Sequence, residues 1–200
     1  IAAAVTDHDR GVWLTDSMQP LFTIARRLHD GEPVDEKMLR GYASDERAEP
    51  EGCQLLSDWA KATGSSLQLR RMRDDEDGTW VWYIDEEGVA DAKRTVREDH
   101  TSGRVEHFEG AAGEERIVRA VHPNGLVEHY KGPKDMEATV RMEMPDGSVD
   151  YYEGPMAFEW KVRSLRPDGR VHHYKGARRE ERLGRIVHAD GREDNFSPEV

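Results

Sequence analysis

Apolar and polar positions follow two different rhythms along this chain, and the change falls near residue 66. Before it the spacing is helical. Asp16 or Ser17 can cap a helix whose first turn accommodates Pro20; Met18, Leu21, Ala25 and Leu28 then recur at helical steps until Gly31. A second helix is predicted over 33–42, burying Val34, Met38 and Tyr42. A third, over 50–63, puts Cys53, Leu56, Trp59 and Ala60 on one face, and Gly64 closes it. These apolar stripes are narrow, so residues 1–66 read as a small helical cap region.

Beyond residue 66 the alternation has a period of two and sits inside a longer repeat. Gly103, Gly125, Gly147, Gly169 and Gly191 stand 22 residues apart, and so do Gly110, Gly132, Gly154 and Gly176. The same step carries an arginine column (Arg97, Arg119, Arg141, Arg163, Arg185) and a glutamate column (Glu115, Glu137, Glu159, Glu181). It also carries a valine column (Val105, Val127, Val149, Val171) and an aromatic column (Phe108, Tyr130, Tyr152, Tyr174, Phe196). A fixed period of this length predicts a stacked architecture in which each unit contacts its neighbours. The expected fold is mainly β with a small α-helical N-terminal part: an elongated antiparallel β-hairpin array over 67–200.

Each unit reads as one hairpin. Ser102-Gly103, Asn124-Gly125, Asp146-Gly147, Asp168-Gly169 and Asp190-Gly191 are read as two-residue type I′ turns, with Pro123, Pro145 and Pro167 beside them. Asp77-Gly78 extends the series upstream to six hairpins. A two-residue turn at Asn124-Gly125 sets His122 opposite Val127 and Arg119 opposite Tyr130. It places Arg119, Val121, Glu128 and Tyr130 on one face. Val118, Ala120, His122, Val127 and His129 then share the other, expected to be the core face. The arginines Arg97, Arg119, Arg141, Arg163 and Arg185 are thereby expected to form a structural ladder with Tyr130, Tyr152 and Tyr174. Glu109, Lys131, Glu153 and Lys175 alternate in sign, which favours sideways charge pairing.

Composition narrows the function classes. The chain is 36% hydrophobic and 35% charged, short of the apolar share of an average domain, so a thick core is not expected throughout. Long apolar runs are absent. Residues 1–5, Ile-Ala-Ala-Ala-Val, are too short for a signal-peptide core and lack a basic flank. The formal charge of -12 disfavours nucleic acid and anionic membranes as partners. One cysteine, Cys53, leaves no internal disulfide and suits a reducing, intracellular and cytoplasmic setting.

Pro145-Asp146-Gly147-Ser148 followed by Tyr152-Glu153-Gly154, and Pro167-Asp168-Gly169 followed by Tyr174-Lys175-Gly176, resemble the MORN repeat. The resemblance covers about residues 67–196, and the units also resemble repeat stretches in predicted algal proteins. It implies tandem hairpins in a twisted single-layer sheet. It also implies roles in scaffolding, dimerisation and, by older proposal, membrane-lipid contact.

Candidate chemistry competes throughout with a simpler structural reading. His107, His129 and His173 share one column and His100, His122 and His188 another. Histidines gathered on a sheet can hold a metal, but one ancestral histidine copied by the repeat explains them as a packing ladder, and no metal is expected. Glu115 and Arg119, four apart and copied, read as a structural ion pair, because four identical copies argue against one active site. Asp74-Asp75-Glu76-Asp77-Gly78 lacks the further ligands of a calcium loop and reads as a charged tip. Cys53 reads as core. Trp80, Trp82 and Tyr83 crowd one strand, and Trp160 stands where its column otherwise holds Arg94, Arg116, Ala138 and Arg182. These four are the candidate partner-binding residues, although packing of the helical cap onto the sheet accounts for Trp80, Trp82 and Tyr83 at least as well.

The expected function is a non-catalytic protein-interaction or scaffold module without cofactor, with self-association among its options. The alternative is a membrane-surface adaptor using Arg178, Arg179, Arg182 and Arg185. An enzyme with a site between cap and sheet ranks last, because no nucleophile–base spacing supports it.

Overall fold

The computed structural model describes residues 24, 27, 36–43, 53, 56, 58, 67–86 and 89–196. Among the described residues one complete helix, α1 (Glu36–Ala43), precedes twelve strands. These are β1 (Leu67–Arg73), β2 (Trp80–Glu86), β3 (Arg94–Asp99), β4 (Val105–Glu109), β5 (Arg116–Val121) and β6 (Val127–Lys131), followed by β7 (Ala138–Glu143), β8 (Val149–Glu153), β9 (Trp160–Leu165), β10 (Val171–Lys175), β11 (Arg182–Val187) and β12 (Glu193–Asn195). They follow one another in chain order as a single open antiparallel sheet. The predicted hairpin array and mainly β class are therefore observed. The chain forms two compact units, Ile1–Glu98 with Ala111–Gly113, and Asp99–Gly110 with Glu114–Val200.

The first unit holds the hydrophobic core. Helix α1 matches the helix predicted over 33–42; Leu39, Tyr42 and Ala43 are buried, with Met38 packed against them. Glu36 clamps its first turn through Arg40 at 2.7 Å and reaches Arg94 at 3.0 Å. Of the other two predicted helices, Ile24, Arg27, Cys53, Leu56 and Asp58 are helical, and the remainder lies outside the described residues. Ile24, Cys53 and Leu56 join Leu69 of β1, Trp82 and Ile84 of β2 and Val96 of β3 in one cluster. Burying each large aliphatic side chain contributes roughly 1.5–3 kcal/mol. Cys53 donates its thiol to the Leu69 carbonyl at 3.2 Å, and burial pushes that thiol up to about 12. The expected role of Cys53 as core is met.

The second unit is held differently. Among the described residues, its buried apolar side chains are the small Ala120 and Ala138. Its order rests on strand pairing and on polar rows across the strands.

Here the structure corrects the predicted register. Arg119 lies opposite His129, Ala120 opposite Glu128 and Val121 opposite Val127, one residue from the expected pairing. The turn is the cause. Gly125 N–H bonds the His122 carbonyl at 2.9 Å and His122 N–H bonds the Leu126 carbonyl at 2.8 Å. The loop is therefore Pro123-Asn124-Gly125: a type I turn with Pro in its second position, then a left-handed glycine at φ 85°. Asn124 and its equivalents are not at positive φ, so the type I′ reading is overturned. The side chain of Asn124 instead accepts from Leu126 N–H at 3.0 Å. An odd loop in place of an even one exchanges the faces of one strand relative to its partner. Arg119, Val121, Val127 and His129 now share a face, with Ala120 and Glu128 on the other.

A second irregularity recurs with the period. Between β4 and β5 the pairing jumps from His107↔Arg119 to Phe108↔Ile117, leaving Val118 as a bulge. Val140, Val162 and Gly184 are skipped in the same way in later units. The bulge puts Tyr130 opposite Thr139 and Tyr152 opposite Lys161, on the face of Glu128 and Asp150.

The second glycine column follows from close approach. A Cβ on Gly132 would sit 2.5 Å from the Met136 carbonyl oxygen, at φ 145°. The glutamate column closes the same loops. Glu137 accepts from Ile117 N–H at 3.3 Å, and Glu159 from Thr139 N–H at 3.2 Å. Glu137 and Glu159 thus hold the strand start of the preceding unit, rather than bonding the arginine four residues on.

Candidate interaction surface

The strand pairings of the second unit generate one continuous polar row. His107, Arg119, His129, Arg141, Tyr151, Arg163, His173, Arg185 and Asn195 follow each other directly across β4 to β12. Cations alternate with flat rings, so Arg119, Arg141 and Arg163 have a ring on either side, and Arg185 has His173 on one side and Asn195 on the other. Arg163 lies 4.1 Å from the Tyr151 ring centroid and Arg185 3.4 Å from His173 Nε2. His129 Nε2 meets Glu143 at 2.7 Å, and Arg141 meets the same carboxylate at 3.0 Å. The arginines expected to stack on Tyr130, Tyr152 and Tyr174 meet the histidine–Tyr151 column instead, because the shorter register puts those tyrosines on the opposite face.

That opposite face carries imidazole–carboxylate pairs. His122 Nε2 meets Glu128 at 2.7 Å, and His188 meets Asp194 at 2.7 Å. Tyr130 donates its hydroxyl to Glu128 at 2.7 Å. Burial raises the Glu128 carboxyl, but the His122 and Tyr130 hydrogen bonds and the His122 and Arg104 charges outweigh it and leave the group below its usual range. In the next unit Met144 replaces the histidine, and Lys161 meets Asp150 at 2.5 Å. Glu128, Asp150 and Asp194 on this face and Glu143 on the other are thus engaged in holding adjacent strands together. The acidic tip behaves likewise: Asp74 accepts from Glu76 N–H at 2.8 Å and Asp77 from Thr79 N–H at 2.7 Å.

The four aromatic candidates have different fates. Trp82 is 1% exposed and belongs to the core of the first unit, so it offers no contact to a partner; the strand pairing that sets Arg71 opposite it turns it inward. Arg71 lies 3.7 Å from the Trp80 ring and Arg97 4.9 Å from the Trp82 ring. Trp80 and Tyr83 are half-buried, with Lys93 5.1 Å from the Tyr83 ring. Trp160 is half-buried too, and its ring closes on Gly154.

Apart from Phe196 after β12, the large exposed apolar side chains of the second unit lie elsewhere, in the loops that link hairpins. Met136 is 63% exposed, Met156 49% and Phe158 63%. Phe158 stands where other loops hold Glu114, Met136 and Glu180; Met156 stands where they hold Ala112, Lys134 and Arg178. With Trp160, the loop Gly154–Trp160 thus departs from the repeat at three positions. Its tip residue Ala157 is left-handed at φ 64°, a conformation costing an L-residue about 1–2 kcal/mol. Arg178, from the next loop, lies 5.4 Å from the Phe158 ring centroid and donates to the Ala157 carbonyl. The repeat columns carried this signal in the sequence: the same comparison that singles out Trp160 finds Met156 and Phe158.

No protein-family model and no curated protein matches this chain. Among the described residues, no helix is long and apolar enough to cross a membrane.

Proposed function

We propose that the chain is a non-catalytic protein-interaction or scaffold module built on MORN-like hairpin repeats, and that the loop edge of its second unit is the contact surface. One observation carries this reading: a chain with 35% charged residues presents Met136, Met156 and Phe158 to solvent on successive loops of one sheet edge. Exposed apolar side chains in contiguous register mark contact surfaces more often than they mark chemistry. The chemistry-bearing side chains, by contrast, are copied from unit to unit and bonded to their neighbours. The test is affinity capture from the native source, comparing the wild-type chain with Met156→Lys/Phe158→Glu. A protein held by the first and lost by the second supports the reading; identical captures from both reject the loop edge.

The membrane-surface alternative has its own observation, since Arg178, which lies against the Phe158 ring, is exposed together with Arg179 and Arg182. Flotation with anionic liposomes separates the two: cofloating wild-type chain favours the lipid reading over the protein one.

A further inference from the structure

We infer that the loop edge carrying Met136, Met156 and Phe158 docks a second copy of this chain, about a twofold axis passing near Ala157. The inference rests on the interaction-module reading and adds the occupant. Charge is the first argument. The chain as a whole is -12, so most of its surface repels another copy. The three loops with their flanking residues, 131–137, 153–159 and 175–182, hold six basic and six acidic residues and are neutral. Two copies can meet there without net repulsion, around an apolar centre.

Self-complementarity is the second argument. In a twofold contact residue i meets residue j and j meets i, and the order of positions reverses across the axis. With Ala157 at the axis, Met156 of each copy meets Phe158 of the other, and loop 132–137 of one copy meets loop 176–181 of the other. The positions that then face each other in those two loops are Asp135 with Arg179, Lys134 with Glu180 and Met136 with Arg178. Opposite charges therefore flank the apolar centre on both sides. Successive loops are about 10 Å apart, two strand spacings, so three loops give a patch of modest width. It falls short of a standard stable interface, and the dimer is expected to dissociate on the order of 10 µM or weaker.

Sedimentation velocity from about 5 to about 500 µM reads this directly. The wild-type sedimentation coefficient should rise with concentration. Met156→Lys/Phe158→Glu should associate at least tenfold more weakly with unchanged melting temperature. Both substitutions install residues that other loops already carry at those positions, Lys134 for the first and Glu114 or Glu180 for the second, so the fold has no reason to fail. Ala157→Cys should form a disulfide-linked dimer under mild oxidation much faster than Asn124→Cys, whose position is a hairpin tip on the other sheet edge; Cys53 is buried and does not compete. A wild-type chain that stays monomeric overturns the proposal and leaves the edge to a different protein, with the capture experiment deciding the wider reading. Association that persists in the double variant, or equal cross-linking at residues 124 and 157, overturns it as well.

Discussion

Arg163 stacks on Tyr151, 4.1 Å from its ring centroid, across the boundary between two hairpins. The contact staples β8 to β9 and shows what orders the second unit, whose buried apolar side chains among the described residues are two alanines. A planar cation over a ring keeps its solvation at the edges while covering the ring face. A row of such pairs can therefore replace part of a core.

Arg163→Lys keeps the charge but removes the planar surface. It should lower stability by about 0.5–1 kcal/mol, the range for an exposed cation–π contact. Tyr151→Leu should cost a similar amount, and the double variant should cost less than the sum of the two. Urea titration of the four proteins measures the coupling; simple additivity would falsify the stacking role.

The two kinds of linker glycine should respond differently to a methyl group. At Gly132 a Cβ meets the Met136 carbonyl oxygen at 2.5 Å, and backbone must move. Gly132→Ala should cost more than about 2 kcal/mol. Gly113 has φ 79° and open space around its Cβ position, so Gly113→Ala should cost only the left-handed penalty, about 1–2 kcal/mol. Equal losses in chemical denaturation would count against the close-approach explanation.

Glu137 holds the Ile117 amide of the preceding unit. Glu137→Ala leaves that amide unpaired at a strand start and should cost about 1–2 kcal/mol, while Glu137→Gln, which keeps an acceptor oxygen, should cost less. Faster hydrogen exchange at the Ile117 amide in Glu137→Ala, with distant amides unchanged, is the specific readout.

His172 and His173 both sit below the ordinary histidine range: burial leads, then Arg166 and Arg170 for the first, Arg185 and Arg163 for the second. A depressed folded pKa means that the unfolded chain takes up these protons first. The stability they allow is present above about pH 6.5 and is lost as pH falls toward their folded values. The wild-type melting temperature should therefore drop more between pH 7 and 5 than that of His172→Gln/His173→Gln. Parallel curves for the two proteins would show that these imidazoles do not drive the response.

The period, the number of hairpins, the two glycine columns and the special loop at Gly154–Trp160 were legible in the sequence, because each is a statement about one residue type recurring at one spacing. Helix α1 was legible for the same reason: its apolar residues recur at helical steps and reach a core. The faces of the hairpins were not. Alternation says that neighbouring residues point opposite ways, but pairing one strand with the next needs the loop length, and Pro123-Asn124-Gly125 closes a three-residue loop where Asn124-Gly125 alone suggests two. That single residue moves the arginines from the Tyr130 column to the column of His129 and Tyr151. The bulge at Val140 then sets Tyr130 opposite Thr139 instead of Val140, an outcome fixed by hydrogen bonding between strands and invisible in the pattern of either one. For Trp82 the pattern leaves contact and packing both open, and the cluster of Leu39, Leu56, Leu69 and Ile84 decides for packing. A repeat determines what recurs; only the closed backbone hydrogen bonds of the folded sheet decide which side chains meet.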